Sequence, residues 1–102
     1  MIRNVVLVKL KATADAAEVA KIQDGFRSLD CPGTVSYTLG DDLGLRDGTW
    51  SFAIVADFTD EASYRAYDTD AEHNRYRALL GPLAEQLARV QFELSAPSAP
   101  AR

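Results

Sequence analysis

Residues 2–11, Ile-Arg-Asn-Val-Val-Leu-Val-Lys-Leu-Lys, constrain the fold more than any other stretch. Read as a strand, Ile2, Asn4, Val6, Val8 and Leu10 share one face. Arg3, Val5, Leu7, Lys9 and Lys11 share the other. Val5 and Leu7 make the second face apolar at its centre. A strand apolar on both faces belongs in the middle of a sheet, with something packed on each side. A chain of 102 residues must therefore find cover for two sheet faces from very little material.

The remaining elements follow from local pattern. Residues 15–29 read as a helix: Asp15 and Glu18 form a capping-box pair, and Val19, Ile22, Phe26 and Leu29 make one apolar stripe. Gly25 interrupts that helix at a cost of about 1 kcal/mol relative to Ala. Cys31-Pro32-Gly33 turns the chain. Residues 34–40 alternate, with Val35, Tyr37 and Leu39 on one face, as an edge strand does. A loop rich in Gly and Asp follows. Residues 49–58 form a third strand, with Trp50, Phe52, Ile54, Ala56 and Phe58 on one face and Ser51, Ala53, Val55 and Asp57 on the other. It is the second candidate for a central strand. Thr59 or Asp60 caps a second helix from Glu61. That helix is expected to break at 68–70, resume near Glu72 and stop at Gly81-Pro82. A helical stretch over 83–88 is expected to lead into a last strand over 90–94.

The order β-α-β-β-α-β is the ferredoxin-like pattern: an α+β domain with a four-stranded antiparallel sheet, whose first and third strands lie in the middle. Those are the two strands that are apolar on both faces. Helices in such a domain cover one face only. The face bearing Val5, Leu7, Ala53 and Val55 would stay wet unless a second sheet packed on it, so a homodimer joined through its sheets is expected. A domain of this size buries only roughly 65% of its unfolded surface, which makes association a natural supplement. Residues 1–95 are read as the domain, and 96–102, all small residues, proline and a final arginine, as a disordered tail.

Composition excludes several classes. Net charge is −4 and the basic residues are scattered, which argues against nucleic acid as a partner. No apolar run approaches the roughly 20 residues of a membrane span. The single cysteine, Cys31, cannot form an internal disulfide, so it reads as structural and a cytoplasmic location is the expectation. One Cys and one His cannot build a closed Cys/His zinc site, and the Asp41, Asp42 and Asp47 loop reads as a solvated turn, so no metal site is expected.

Candidate chemistry gathers in residues 64–76, Tyr-Arg-Ala-Tyr-Asp-Thr-Asp-Ala-Glu-His-Asn-Arg-Tyr. They hold the only histidine, His73, and three of the four tyrosines, Tyr64, Tyr67 and Tyr76. An imidazole is the natural acid–base group near neutral pH. His73 reads either as a general base in a pocket or as a residue of a helix N-terminus bonded to Asp70 or Glu72. Tyr64 and Tyr67 are three apart and lie near one helix face; Tyr76 is three beyond His73. In an unbroken helix the six residues from Tyr67 to His73 span about 600° and face apart, so any pairing requires the break between them. Asn4, Val6, Val8, Trp50, Phe52 and Ile54 would form an apolar wall with one polar group, which suits a hydrophobic ligand or a packed core.

These residues resemble the stress-responsive A/B barrel domain (Dabb) family, or dimeric α/β barrels. The resemblance rests on the opening Ile-Arg-Asn-Val-Val-Leu-Val-Lys-Leu-Lys, on Ala-Tyr-Asp-Thr-Asp-Ala-Glu-His at 66–73, on Val-Gln-Phe-Glu-Leu at 90–94, and on the order of the elements. It implies a dimer whose two sheets form a shared barrel, with a small-molecule cavity between sheet and helices. Its enzymatic side resembles polyketide cyclases of the olivetolic acid type, which close a polyketide chain by aldol condensation without a cofactor. Their tyrosine and histidine, six residues apart, fall on Tyr67 and His73. The family often has a histidine where this chain has Asn4, and the cyclases have another where it has Phe52. The resemblance thus implies a cofactor-independent cyclase or lyase on a polyketide-like or β-dicarbonyl substrate, or a non-catalytic stress-responsive ligand-binding protein. A cofactor-free monooxygenase of the antibiotic-biosynthesis type is the third reading, suggested by Asn4 and Trp50.

Overall fold

The computed structural model describes residues 1–95; the expected 96–102 tail lies outside them. The elements are β1 (Ile2–Leu10), α1 (Ala16–Arg27), β2 (Thr34–Asp41), β3 (Phe52–Phe58), α2 (Glu61–Asp68), α3 (Ala71–Leu80), a 3-10 turn (Gly81–Leu83) and β4 (Ala84–Glu93). They build one antiparallel sheet in the order β2-β3-β1-β4. This is the ferredoxin-like α+β fold, and the two strands apolar on both faces are the two central ones.

Side chains set the helix limits. The Asp15 carboxylate accepts from the Glu18 amide at 2.9 Å and starts α1. Asp60, rather than Thr59, starts α2 by accepting from the Ser63 amide at 2.8 Å. Asp70 starts α3 by accepting from the His73 amide at 3.0 Å. Each satisfies an amide that helix geometry would orphan. Gly25 has a packing reason: a Cβ there would overlap the ring of Tyr76. The glycine lets α3 press against α1, and that contact repays its poor helix propensity.

One element differs from expectation. Residues 84–88, Ala-Glu-Gln-Leu-Ala, are strand rather than helix, although most of them are good helix formers. They pair with β1 from Leu10↔Ala84 to Leu7↔Ala88, with a register shift at Lys9/Leu10. Pro82 stops α3, and the open edge of β1 then offers each residue a ladder partner. Tertiary pairing overrides local propensity.

The helices cover the sheet face that carries Val8, Leu39, Phe52, Ile54, Ala56 and Phe58, all buried. The opposite face carries Val5, Leu7, Ala53, Val55, Ala88, Val90 and Phe92, with Leu7, Val90 and Phe92 all more than a third exposed. At its polar end the Arg3 guanidinium makes a bidentate pair with Asp57, at 2.8 and 2.9 Å, and Ser36 donates to the same carboxylate at 3.0 Å. These bonds hold the Asp57 carboxyl below its ordinary value.

Candidate functional site

The chain breaks between α2 and α3 at Thr69-Asp70, as the spacing of Tyr67 and His73 requires. The Thr69 amide still bonds to Arg65 and the Asp70 amide to Tyr67, so α2 ends in closed turns before α3 starts on a new axis. The result is direct contact. The rings of Tyr67 and His73 lie 4.0 Å apart between centroids and 31° from parallel. Phe26 approaches the imidazole from α1, at 6.1 Å. His73 is only 6% exposed.

Together these side chains line a small cavity, about 40 Å³, between the two helices and the sheet. Asn4, Val6 and Ile54 form its floor, Tyr64, Tyr67 and His73 its roof, and Phe26 and Leu80 its apolar end. Its other side runs out to β4, where Leu87 and Arg89 stand exposed. A space of this size holds water or a fragment of a few heavy atoms.

The Tyr67 hydroxyl does not point its hydrogen bond at His73. It pairs with the Tyr37 hydroxyl at 3.0 Å, and Tyr67 also stacks on Phe58 at 5.0 Å. Burial pushes the Tyr37 hydroxyl up to about 12 and raises Tyr67 further. Both phenols stay neutral at any physiological pH. Tyr67 is thus a fixed platform for the imidazole.

His73 is held neutral. Desolvation lowers its pKa most, and the Arg77 cation lowers it further; Asp68 and the nearby carbonyls of Asp68 and Tyr67 pull the other way. Its Nδ1 is buried without a hydrogen-bond partner among the described residues. An unsatisfied buried nitrogen costs folding free energy.

The depressed pKa has a consequence for stability. The unfolded chain takes up a proton on His73 near the ordinary imidazole value of 6.5, while the folded chain refuses it until lower pH. The contribution of His73 is therefore whole above pH 6.5 and is lost as pH falls through and below that value. Denaturation at pH 7.5 and at pH 5 should show a larger acid loss in the wild type than in His73→Gln. Equal losses would contradict a buried neutral His73.

Several expected lining residues stand elsewhere. Val8 and Phe52 are buried in the main core, packed with Val19, Ile22 and Leu39. Tyr76 packs on Phe26, with the Arg75 guanidinium over its ring. Trp50 does not share the face of Asn4 and Val6. The Ser51 hydroxyl takes the Leu10 amide at 2.9 Å, and period-two alternation stops there. Trp50 instead lines a wide groove of about 690 Å³ with Leu7 and Ala53, on the helix-free side. Asn4 stays at the cavity, its amide oxygen accepting from Gln91 at 2.7 Å. Sequence reading missed Tyr37, Phe26, Arg77, Leu87 and Arg89. Only the alternation placing Tyr37 inward and the apolar stripe carrying Phe26 were signals for any of them.

Among the described residues, no group of three His, Cys, Asp or Glu is placed to hold a metal, and no helix is long and apolar enough to cross a membrane. The sequence model of the stress responsive A/B barrel domain matches residues 2–94. No curated protein matches the chain. Solved structures do. A dimeric ferredoxin-like protein of unknown function from Thermobifida fusca is 32% identical over 91% of this chain and 90% of that one, with a TM-score of 0.86. A hydroxynitrile lyase from Passiflora edulis is 16% identical over 92% and 93%, TM-score 0.81. An antibiotic biosynthesis monooxygenase is 14% identical over 94% and 100%, TM-score 0.76. The last two likenesses concern the fold alone.

Proposed function

Because the chain belongs to the stress responsive A/B barrel (Dabb) family, we propose that it works as a homodimer joined through its helix-free sheet faces, with one small-molecule cavity in each subunit. The apolar face of β1, β3 and β4 supports the dimer, as does the dimeric state named for the Thermobifida fusca protein. In each cavity His73 acts as a general base on a carbon acid flanked by carbonyls, the enolate chemistry of a cofactor-independent cyclase or lyase.

The observation that carries this reading is the buried neutral imidazole of His73 at a cavity roofed by Tyr67. A neutral His accepts a proton at one nitrogen. The unprotonated ring nitrogen of His73 takes the proton from the carbon between two carbonyls, and the electron pair moves onto the carbonyl oxygen. Asn4 at the floor supplies the polar group for that oxygen. Polyketide-like or other β-dicarbonyl compounds have such a carbon.

The test is exchange of the α-protons of linear β-keto acids and β-keto thioesters in D₂O, followed by NMR with wild type and His73→Ala. General-base catalysis predicts a rate at least about 100-fold lower in the variant. Equal rates would sink the role of His73. The narrowness of the cavity favours a second reading, a ligand-binding protein without catalysis, which predicts His73-dependent binding and no exchange above background. The monooxygenase reading loses support because Trp50 and Asn4 open onto different spaces.

A further inference from the structure

The cavity carries a charge that its base does not need. Four groups that can bear charge line it: Asp68, His73, Arg77 and Arg89. Arg77 is satisfied locally. It donates to the Asp68 carboxylate at 3.2 Å, to the Asp68 carbonyl at 3.0 Å and to the Asn74 side-chain oxygen. The charges of Arg77 and Asp68 cancel, and His73 is neutral. Arg89 has no ion-pair or hydrogen-bond partner among the described residues. It leaves one positive charge at the mouth of a cavity in a chain whose net charge is −4.

Position makes this charge useful. Arg89 pairs with Val6 across the β1–β4 ladder, as Gln91 pairs with Asn4, so all four lie on the helix side of the sheet. No helix covers this strand, and every residue of β4 beyond Ala84 is exposed. The side chain therefore stands between solvent and the cavity that His73 lines. It also lies on the face opposite Val90 and Phe92, so the proposed dimer leaves it free.

We propose that the ligand of this cavity carries a carboxylate, held by Arg89 at the β4 side, while its uncharged carbonyl end reaches His73. This rests on the cavity reading above and names the substrate class. A guanidinium offers a carboxylate two parallel donors, which a lone ammonium does not. The substrate class is then a small β-keto acid rather than its neutral ester or a purely apolar molecule.

The chain's single histidine makes the experiment clean, because its imidazole signals report on one site. Acetoacetate and methyl acetoacetate are titrated separately into the full chain, and the His73 imidazole signals are followed by NMR. The carboxylate should bind at least about tenfold more tightly than the ester, as expected for hydrogen bonds to a charged group. Arg89→Gln should abolish the difference, and Arg89→Lys should restore part of it. Arg89 is exposed, so neither variant threatens folding. Equal binding of the two compounds with shifted His73 signals would overturn the carboxylate proposal and leave the cavity reading standing. A preference that survives in Arg89→Gln would overturn the role of Arg89. Unmoved His73 signals with both compounds would overturn the proposal together with the cavity reading.

Discussion

Val90→Asp is expected to turn the proposed dimer into monomers at micromolar concentration, with the fold of each subunit intact. Val90 is 55% exposed in the single chain and pairs with Val5 on the helix-free face. Around it stand Leu7, Ala88 and Phe92, a contiguous apolar surface of the kind that marks an interface. A two-fold interface is isologous, so one substitution places two carboxylates in it. Central hot-spot losses run at about 2–4 kcal/mol, which weakens association by roughly 30- to 1000-fold. Val90 is solvent-exposed in the monomer, so the same change costs the isolated subunit little. Light scattering and sedimentation should show the shift, with far-ultraviolet dichroism unchanged. Leu79→Asp is the control: Leu79 is comparably exposed but lies on α3, on the helix side. If Leu79→Asp dissociated the dimer and Val90→Asp did not, the helices would form the interface and the sheet reading would be wrong.

Phe58→Ala should have the largest effect on folding. Phe58 is fully buried at the end of β3. It contacts Tyr64 edge-on at 5.7 Å and lies against Tyr67 at 5.0 Å. Truncating a buried Phe costs about 3–5 kcal/mol, from lost transfer energy and the cavity left behind. Domains of this size hold about 5–15 kcal/mol in all. The melting temperature should fall by roughly 15–35 °C, and some of the chain should be unfolded at 37 °C. Binding at His73 should weaken as well. Tyr67 is positioned by Phe58 from below and by the Tyr37 hydroxyl from the side, so removing Phe58 frees the ring that stacks on the imidazole. A melting temperature within a few degrees of wild type would show that this second cluster contributes little to the fold.

The two predictions concern opposite faces of one sheet, and the chain specifies them by different means. Much of the scaffold is legible in local pattern. Two-faced apolarity identified β1 and β3 as central. Asp15 marked the start of a helix, and the Asp-Thr-Asp at 68–70 marked the break that lets Tyr67 meet His73. Period and capping act over a few residues, so they can be read from a few residues. Trp50 shows where that method stops. Alternation put it beside Asn4, but the Ser51 hydroxyl captures the Leu10 amide and the strand begins only at Phe52.

The sequence by itself determined the element order, the two central strands and the helix break that any pairing of Tyr67 with His73 requires. Only the tertiary structure decided what surrounds them. Residues 84–88 became strand because β1 offered an edge across more than 70 residues of chain. Gly25 proved to be the seat of Tyr76 rather than a weak point. Tyr37 took the Tyr67 hydroxyl, Arg77 turned to Asp68, and Arg89 was left facing the cavity. Most of these contacts join residues distant in sequence, and the Arg77–Asp68 pair spans the helix break, so none leaves a periodic trace. A cavity is defined by what converges on it, and convergence belongs to the packed chain.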